Sequence, residues 1–182
     1  MTWRLYVAFR RAVNVGGKNK VPMARLRDSL TAAGLEEVAT VLQSGNVVFR
    51  SRASGGDAAK VVAVTIEETF GLQIGVVIRS AAELGAVAAT NPFLDEEPDR
   101  DAKTLHVAFL SSRPSAAAVA KLDPDRSPPD SFAVSGGEIY LSYPDGSGRS
   151  RLTLDYLEKT LGVTGTARNW RTVQRLAALL QG

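Results

Sequence analysis

Four short segments of this chain recur downstream in the same order, and that self-similarity limits the fold more than any other feature. Tyr6-Val7-Ala8-Phe9 returns as His106-Val107-Ala108-Phe109, an offset of 100. Ser44-Gly45-Asn46-Val47-Val48-Phe49 is echoed by Gly136-Gly137-Glu138-Ile139-Tyr140-Leu141, an offset of 92. Ile66-Glu67-Glu68-Thr69-Phe70-Gly71-Leu72 is echoed by Leu157-Glu158-Lys159-Thr160-Leu161-Gly162-Val163 at 91, and Arg79-Ser80 by Arg171-Thr172 at 92. One large drop in offset describes a second copy that is shorter just after its first strand.

The local patterns supply the same elements in each half. Residues 4–10 alternate as a strand, with Leu5, Val7 and Phe9 on one face. Met23, Leu26, Leu30 and Ala33 form a helical stripe that Gly34 ends. Residues 38–43 and 46–50 read as two strands joined at Ser44-Gly45, 57–70 as a helix and 72–78 as a strand. Ser80-Ala81-Ala82-Glu83 has the pattern of a capping box and opens a further helix. The second half repeats this order: strand 104–110, helix 115–122, hairpin 131–134 and 138–142, helix 152–161, strand 166–170 and helix 172–180. The expected fold class is α+β: two ferredoxin-like βαββαβ repeats, each followed by an extra helix. The first repeat is expected over 1–90 and the second over 103–182, with 91–102 an acidic, solvated linker.

Charge is laid out unevenly along this plan. Residues 1–52 carry nine Lys/Arg against three Asp/Glu, and residues 148–182 carry six against two. The middle is acidic, with three against eight over 53–100 and four against six over 101–147. An anionic partner is therefore expected at the ends of the chain. No cysteine is present, which rules out a disulfide, a thiolate nucleophile and a thiolate metal site. No apolar run reaches the ~18 residues of a membrane span, and Arg4, Arg10 and Arg11 break the apolar start. A cytoplasmic protein without membrane contact is the expectation.

The repeat scheme gives meaning to NVGGKNKVPM, residues 14–23. In a βαββαβ unit the loop after the first strand, the start of the first helix and the hairpin after the second strand lie at one end. Asn14, Gly16, Gly17, Lys18 and Lys20 should therefore neighbour Ser44 and Asn46, with Arg11 at the strand end. The glycines permit close backbone approach, the lysines supply charge, and a helix N-terminus favours an anion. If Pro22 is the first helical residue, Val21 is the cap and has no side-chain acceptor; if the helix starts a turn earlier, Asn19 can cap it. The second repeat has only Ser111-Ser112-Arg113-Pro114 at this point, so the basic loop belongs to one copy alone. The alternative is a structural turn whose lysines are merely solvated.

Arg168-Asn169-Trp170-Arg171 closes the last strand, and two guanidiniums beside an indole suit phosphate clamping or stacking on a planar ring. Equally, Trp170 could fill core while the arginines pair with the acidic middle. Neither a P-loop nor a dinucleotide-binding glycine pattern is present, so no cofactor is expected. No metal cluster is visible, and the single histidine, His106, lies within a strand. An anionic or phosphorylated small molecule is thus the leading partner. The alternatives are a nucleic acid, for which residues 44–49 offer only one stacking aromatic, and an enzyme using Lys/Arg electrostatic stabilisation. Oligomeric state is left open.

Taken together, VAFRRAVNVGGKNKVPM, LQSGNVVF and TARNWRTV resemble the bacterial family catalogued as domain of unknown function 1697. The resemblance covers nearly the whole chain, implies a duplicated ferredoxin-like α+β fold and supplies no activity. Family members usually read R-G-I-N-V-G-G in the first loop. Here Arg11 keeps the arginine, while Ala12 and Val13 replace the glycine and isoleucine. Asn14, Gly16, Gly17, Lys18, Ser44, Gly45, Asn46, Arg168, Asn169 and Trp170 match the family pattern.

Overall fold

The structure, a computed structural model, describes residues 2–11, 21–41 and 45–181. The chain divides into two compact units, Met1–Glu83 and Leu84–Gly182. The first contains β1 (Arg4–Arg10), α1 (Met23–Ala32), β2 (Glu36–Val41), β3 (Asn46–Ser51), α2 (Gly55–Phe70) and β4 (Val76–Ser80), and the boundary falls inside α3 (Ala81–Ala89). The second continues with α4 (Pro92–Glu96), β5 (Leu105–Leu110), α5 (Ala116–Val119), β6 (Ser131–Ser135), β7 (Glu138–Ser142), α6 (Leu154–Leu161), β8 (Gly165–Asn169) and α7 (Trp170–Gln181).

The strands form two four-stranded antiparallel sheets, ordered β2-β3-β1-β4 and β6-β7-β5-β8. That order, with two helices crossing between strands, is the ferredoxin-like arrangement. Alternation along β1 explains the core of the first unit. Tyr6 and Ala8 point to the helices and join Leu26 and Leu30 of α1, Phe49 of β3 and Val62 and Ile66 of α2. In the second unit Ala108, Leu110, Ile139 and Leu141 meet Leu157 and Leu161 of α6. Val7, Phe9, Val107 and Phe109, on the other faces of their strands, are fully buried as well.

Several helix ends are capped locally, the expected capping box at Ser80–Glu83 among them. Ser54 accepts from the Asp57 amide at α2, and Ser80 and Glu83 make the reciprocal bonds of a capping box at 3.2 and 2.7 Å. Helices α2 and α6 both end on a left-handed glycine, Gly71 (φ 67°) and Gly162 (φ 69°), where a side chain would be strained. The stretch expected as a linker builds α4 instead, with buried Asn91 accepting from the Phe93 amide and Phe93 itself buried.

Several expected bounds change: α5 covers only Ala116–Val119 of the expected 115–122, β2 is Glu36–Val41 rather than 38–43, and α6 and α7 begin at Leu154 and Trp170 rather than at 152 and 172. The fourth strand is Val76–Ser80, not 72–78, because β1 offers pairing partners only to Val76–Ser80 and Ile74 packs from the preceding connection. The equivalent of Arg79 is therefore Arg168, not Arg171. Arg79 pairs with Val7 and Arg168 with Val107, and each donates from Nη1 to the preceding carbonyl at 2.9 Å. The connection from Gly162 to Gly165 is two residues shorter than that from Gly71 to Val76, which a fixed offset could not register.

Candidate functional site

One end of the first sheet is assembled by two backbone hydrogen bonds. The Arg10 amide donates to the Gly45 carbonyl at 3.0 Å, which joins the end of β1 to the β2–β3 turn. The Arg11 amide donates to the Gly75 carbonyl at 3.0 Å, which joins it to the start of β4. The second unit makes the same two bonds, from Leu110 to Gly137 at 2.9 Å and from Ser111 to Thr164 at 2.8 Å. There a cavity of about 380 Å³ opens at the equivalent place, lined by Arg113, Pro114, Ala116, Val119 and the hairpin residues Val134 and Gly136.

Helix α1 begins at this end. Pro22 is its cap residue, in extended conformation (φ −63°, ψ 122°), and has no side-chain oxygen to offer the first N–H groups. The first turn contains no acidic residue and does contain Arg25. Both expected starts thus give way to one with Pro22 just outside the helix; the absence of a side-chain acceptor at the cap stands. The first turns of α2, α3 and α6 each hold a carboxylate, Asp57, Glu83 and Asp155.

Of the residues expected here, Asn14, Gly16, Gly17, Lys18, Lys20 and Ser44 lie outside the described residues. Arg11 stands at the end of β1, half-buried. Asn46 is fully buried, and its Nδ2 donates to the Val41 carbonyl at 3.2 Å, so the side chain is tied into the hairpin. Sequence reasoning missed Arg10. The period-two pattern places it on the helix-facing side of β1 with Tyr6 and Ala8, where the second repeat has the buried Leu110. A Cβ built on Gly45 would lie 2.9 Å from Arg10 Nε and 3.1 Å from its Cβ, so the arginine runs directly over the turn. Gly45 is held at φ 83°, the left-handed region that favours glycine. Burial lowers the Arg10 pKa below its usual value, yet an arginine keeps its charge. The signal available in the sequence was a guanidinium on an otherwise apolar strand face.

The Arg168–Arg171 segment lies at the other end of its own sheet, where Asn169 pairs with His106 at the start of β5. The structure gives its members packing and capping duties. Arg168 Nη1 donates to Thr166 Oγ1 at 2.8 Å. Asn169 Oδ1 accepts from the Arg171 amide at 3.0 Å and so caps α7, while its Nδ2 holds the Lys103 carbonyl at 3.1 Å. Trp170 is buried, with its ring 6.4 Å from that of Tyr140. Arg171 reaches only a 3.9 Å pairing with Asp101 between exposed side chains, worth little in water.

His106 is a strand residue whose ring meets Tyr143 edge-on at 5.3 Å. Burial lowers its pKa from 6.5, against a smaller opposing effect of the Thr104 backbone, so the ring is neutral at pH 7. The unfolded chain takes up this proton near pH 6.5, but the native chain does so only at lower pH. Unfolding therefore becomes easier as pH falls through that window, and the loss levels off below the native pKa. Urea titrations of the native chain and His106→Gln across this window should diverge, the variant losing less stability with acid. As the chain's single histidine, His106 should also show its ring proton resonances titrating below pH 6.5.

Among the described residues no group of three or more His, Asp or Glu side chains converges to hold a metal, and no helix is long and apolar enough to cross a membrane. The class is thus an α+β protein of two ferredoxin-like repeats, with its basic elaboration confined to one of them. Residues 4–140 match the family model described as "Protein of unknown function (DUF1697)", and the chain belongs to that family. Its fold is shared by the conserved bacterial protein SP0830 from Streptococcus pneumoniae, at 24% identity over 100% of both chains with a TM-score of 0.73. The comparison with curated proteins finds no match.

Proposed function

We propose that this protein binds an anionic, phosphate-bearing small molecule at the end of the first sheet where β1, the β2–β3 turn and the start of α1 converge. The observation that carries the reading is Arg10. A cation replaces the core leucine of the second repeat at the strand end that feeds the basic loop. A guanidinium at this place can hold an anion through charge-assisted hydrogen bonds. Arg11, Lys18 and Lys20 add positive charge, Asn14 and Ser44 add hydrogen-bonding groups, and Gly16 and Gly17 allow the backbone to approach. Pro22 and Arg25 leave the α1 terminus without a competing carboxylate. A cytoplasmic metabolite pool is the natural source of such a ligand.

The test is isothermal titration calorimetry with a panel of nucleotides and sugar phosphates. At least one member should bind, and Arg10→Leu should weaken it roughly 10–100-fold, the equivalent of about 1.5–3 kcal/mol for a bond to a charged group. Because leucine already occupies this position in the second repeat, the variant should remain folded. Lys18→Ala should weaken the same ligand by about tenfold, within that range. No heat from any member of the panel defeats the reading. A nucleic-acid platform has less support, because Phe49, the aromatic on β3, is buried among the helices and cannot stack on a base.

A further inference from the structure

The two repeats are elaborated at opposite ends. Between β1 and α1 the first repeat spends twelve residues (11–22) where the second spends five (111–115). At the other end the difference reverses twice. Three residues (33–35) join α1 to β2, but eleven (120–130) join α5 to β6. Three residues (52–54) join β3 to α2, but eleven (143–153) join β7 to α6. The helices beside these connections are correspondingly shorter, four residues in α5 against ten in α1 and eight in α6 against sixteen in α2, so chain that is helical in the first repeat forms long connections here.

The two long connections are built against each other. The Arg151 amide donates to Ser127 Oγ at 3.0 Å, and Arg126 Nε reaches the Arg151 carbonyl at 3.4 Å. The Arg126 guanidinium also lies 4.5 Å from the centre of the Tyr156 ring, whose hydroxyl accepts from the Asp123 amide at 2.8 Å. Between them they enclose a cleft of about 540 Å³, within the size range of small-molecule sites. One wall brings Ser127 and Asp130; the other brings Asp145, Arg149 and Ser150. Among the described residues the side chains of Asp130, Asp145 and Arg149 form no ion pair and no hydrogen bond, although opposite charges share the cleft.

We propose that this cleft is a second binding site, for a zwitterion of amino-acid or dipeptide size. Its ammonium group lies between the carboxylates of Asp130 and Asp145, one from each connection, and its carboxylate pairs with Arg149. The hydroxyls of Ser127 and Ser150 complete a polar lining. The site is separate from the anion site of the first repeat and stands or falls without it.

Titrating the ¹⁵N-labelled full chain with each of the twenty amino acids and with glycylglycine tests it. At least one should give saturable amide shifts confined to residues 127–130 and 145–150. An ion pair at such a surface contributes up to about 1 kcal/mol, so D130N, D145N and R149Q should each weaken that ligand several-fold. The amide of the best ligand, which lacks the carboxylate, and its N-acetyl derivative, which lacks the ammonium, should each bind more weakly than the parent. The proposal is overturned if no compound in the series saturates, if either derivative binds as tightly as the parent, or if R149Q leaves affinity unchanged. Asp145 and Arg149 are exposed and Asp130 is half-buried, and none of the three side chains holds another element in place, so the variants should keep the native spectrum outside the cleft.

Discussion

Phe49→Ala should lower the stability of this protein by about 3–5 kcal/mol, as expected for deleting a fully buried aromatic ring. Phe49 lies on β3, opposite Tyr6 in the register, with no exposed surface and its ring 5.8 Å from the tyrosine ring at 30°. It touches the core shared by α1 and α2, so its removal opens space between the sheet and both helices. The surroundings are poorly able to close over that space. Tyr6 is anchored by its hydroxyl, which donates to the Ala53 carbonyl at 3.0 Å, and the strand is held on both sides by β1 and β2. Urea unfolding should show a lower midpoint with an unchanged slope. A loss below about 1 kcal/mol would mean that the core relaxes into the gap, contrary to this packing.

Gly165→Val should cost about 3 kcal/mol, the upper end of what overpacking usually costs, although valine is the residue at the equivalent place in the first repeat. Val76 pairs with Arg10, and Gly165 pairs with Leu110. At Gly165 even a single Cβ would lie 2.9 Å from the Phe109 carbonyl oxygen and 3.0 Å from Leu110 Cδ2. A backbone oxygen inside a sheet cannot swing aside as a side-chain end can, so β5 and β8 must separate. The Ser111 amide, which donates to the Thr164 carbonyl next to this contact, should then lose protection from hydrogen exchange. Gly165→Ala should show the same effect at smaller size. If either variant is as stable as the native chain, the close approach of the two strands is wrong.

The candidate site was legible in part. Its place at the end of β1 followed from topology, and the bond from Arg10 to Gly45 accords with that neighbourhood. The role of Arg10 was hidden because a charged residue at a strand end ordinarily projects into solvent. Only the register, which equates it with Leu110, shows that it lies on the helix-facing side of its strand. The cleft of the second unit escaped for a different reason. Ser127, Asp130, Asp145 and Arg149 are ordinary loop residues, separated by up to 22 positions, and nothing local announces that their loops converge.

The sequence by itself determined the two βαββαβ repeats and the capping box at Ser80–Glu83, because period-two and period-3.6 burial and capping chemistry act over a few residues. It could not determine the start of β4, the match of Arg79 to Arg168, or the partnership of the two long connections. Those depend on which backbone groups a neighbouring strand leaves to be paired and on where long connections meet in space. Such choices are made between segments far apart in the chain, so only the tertiary structure decides them.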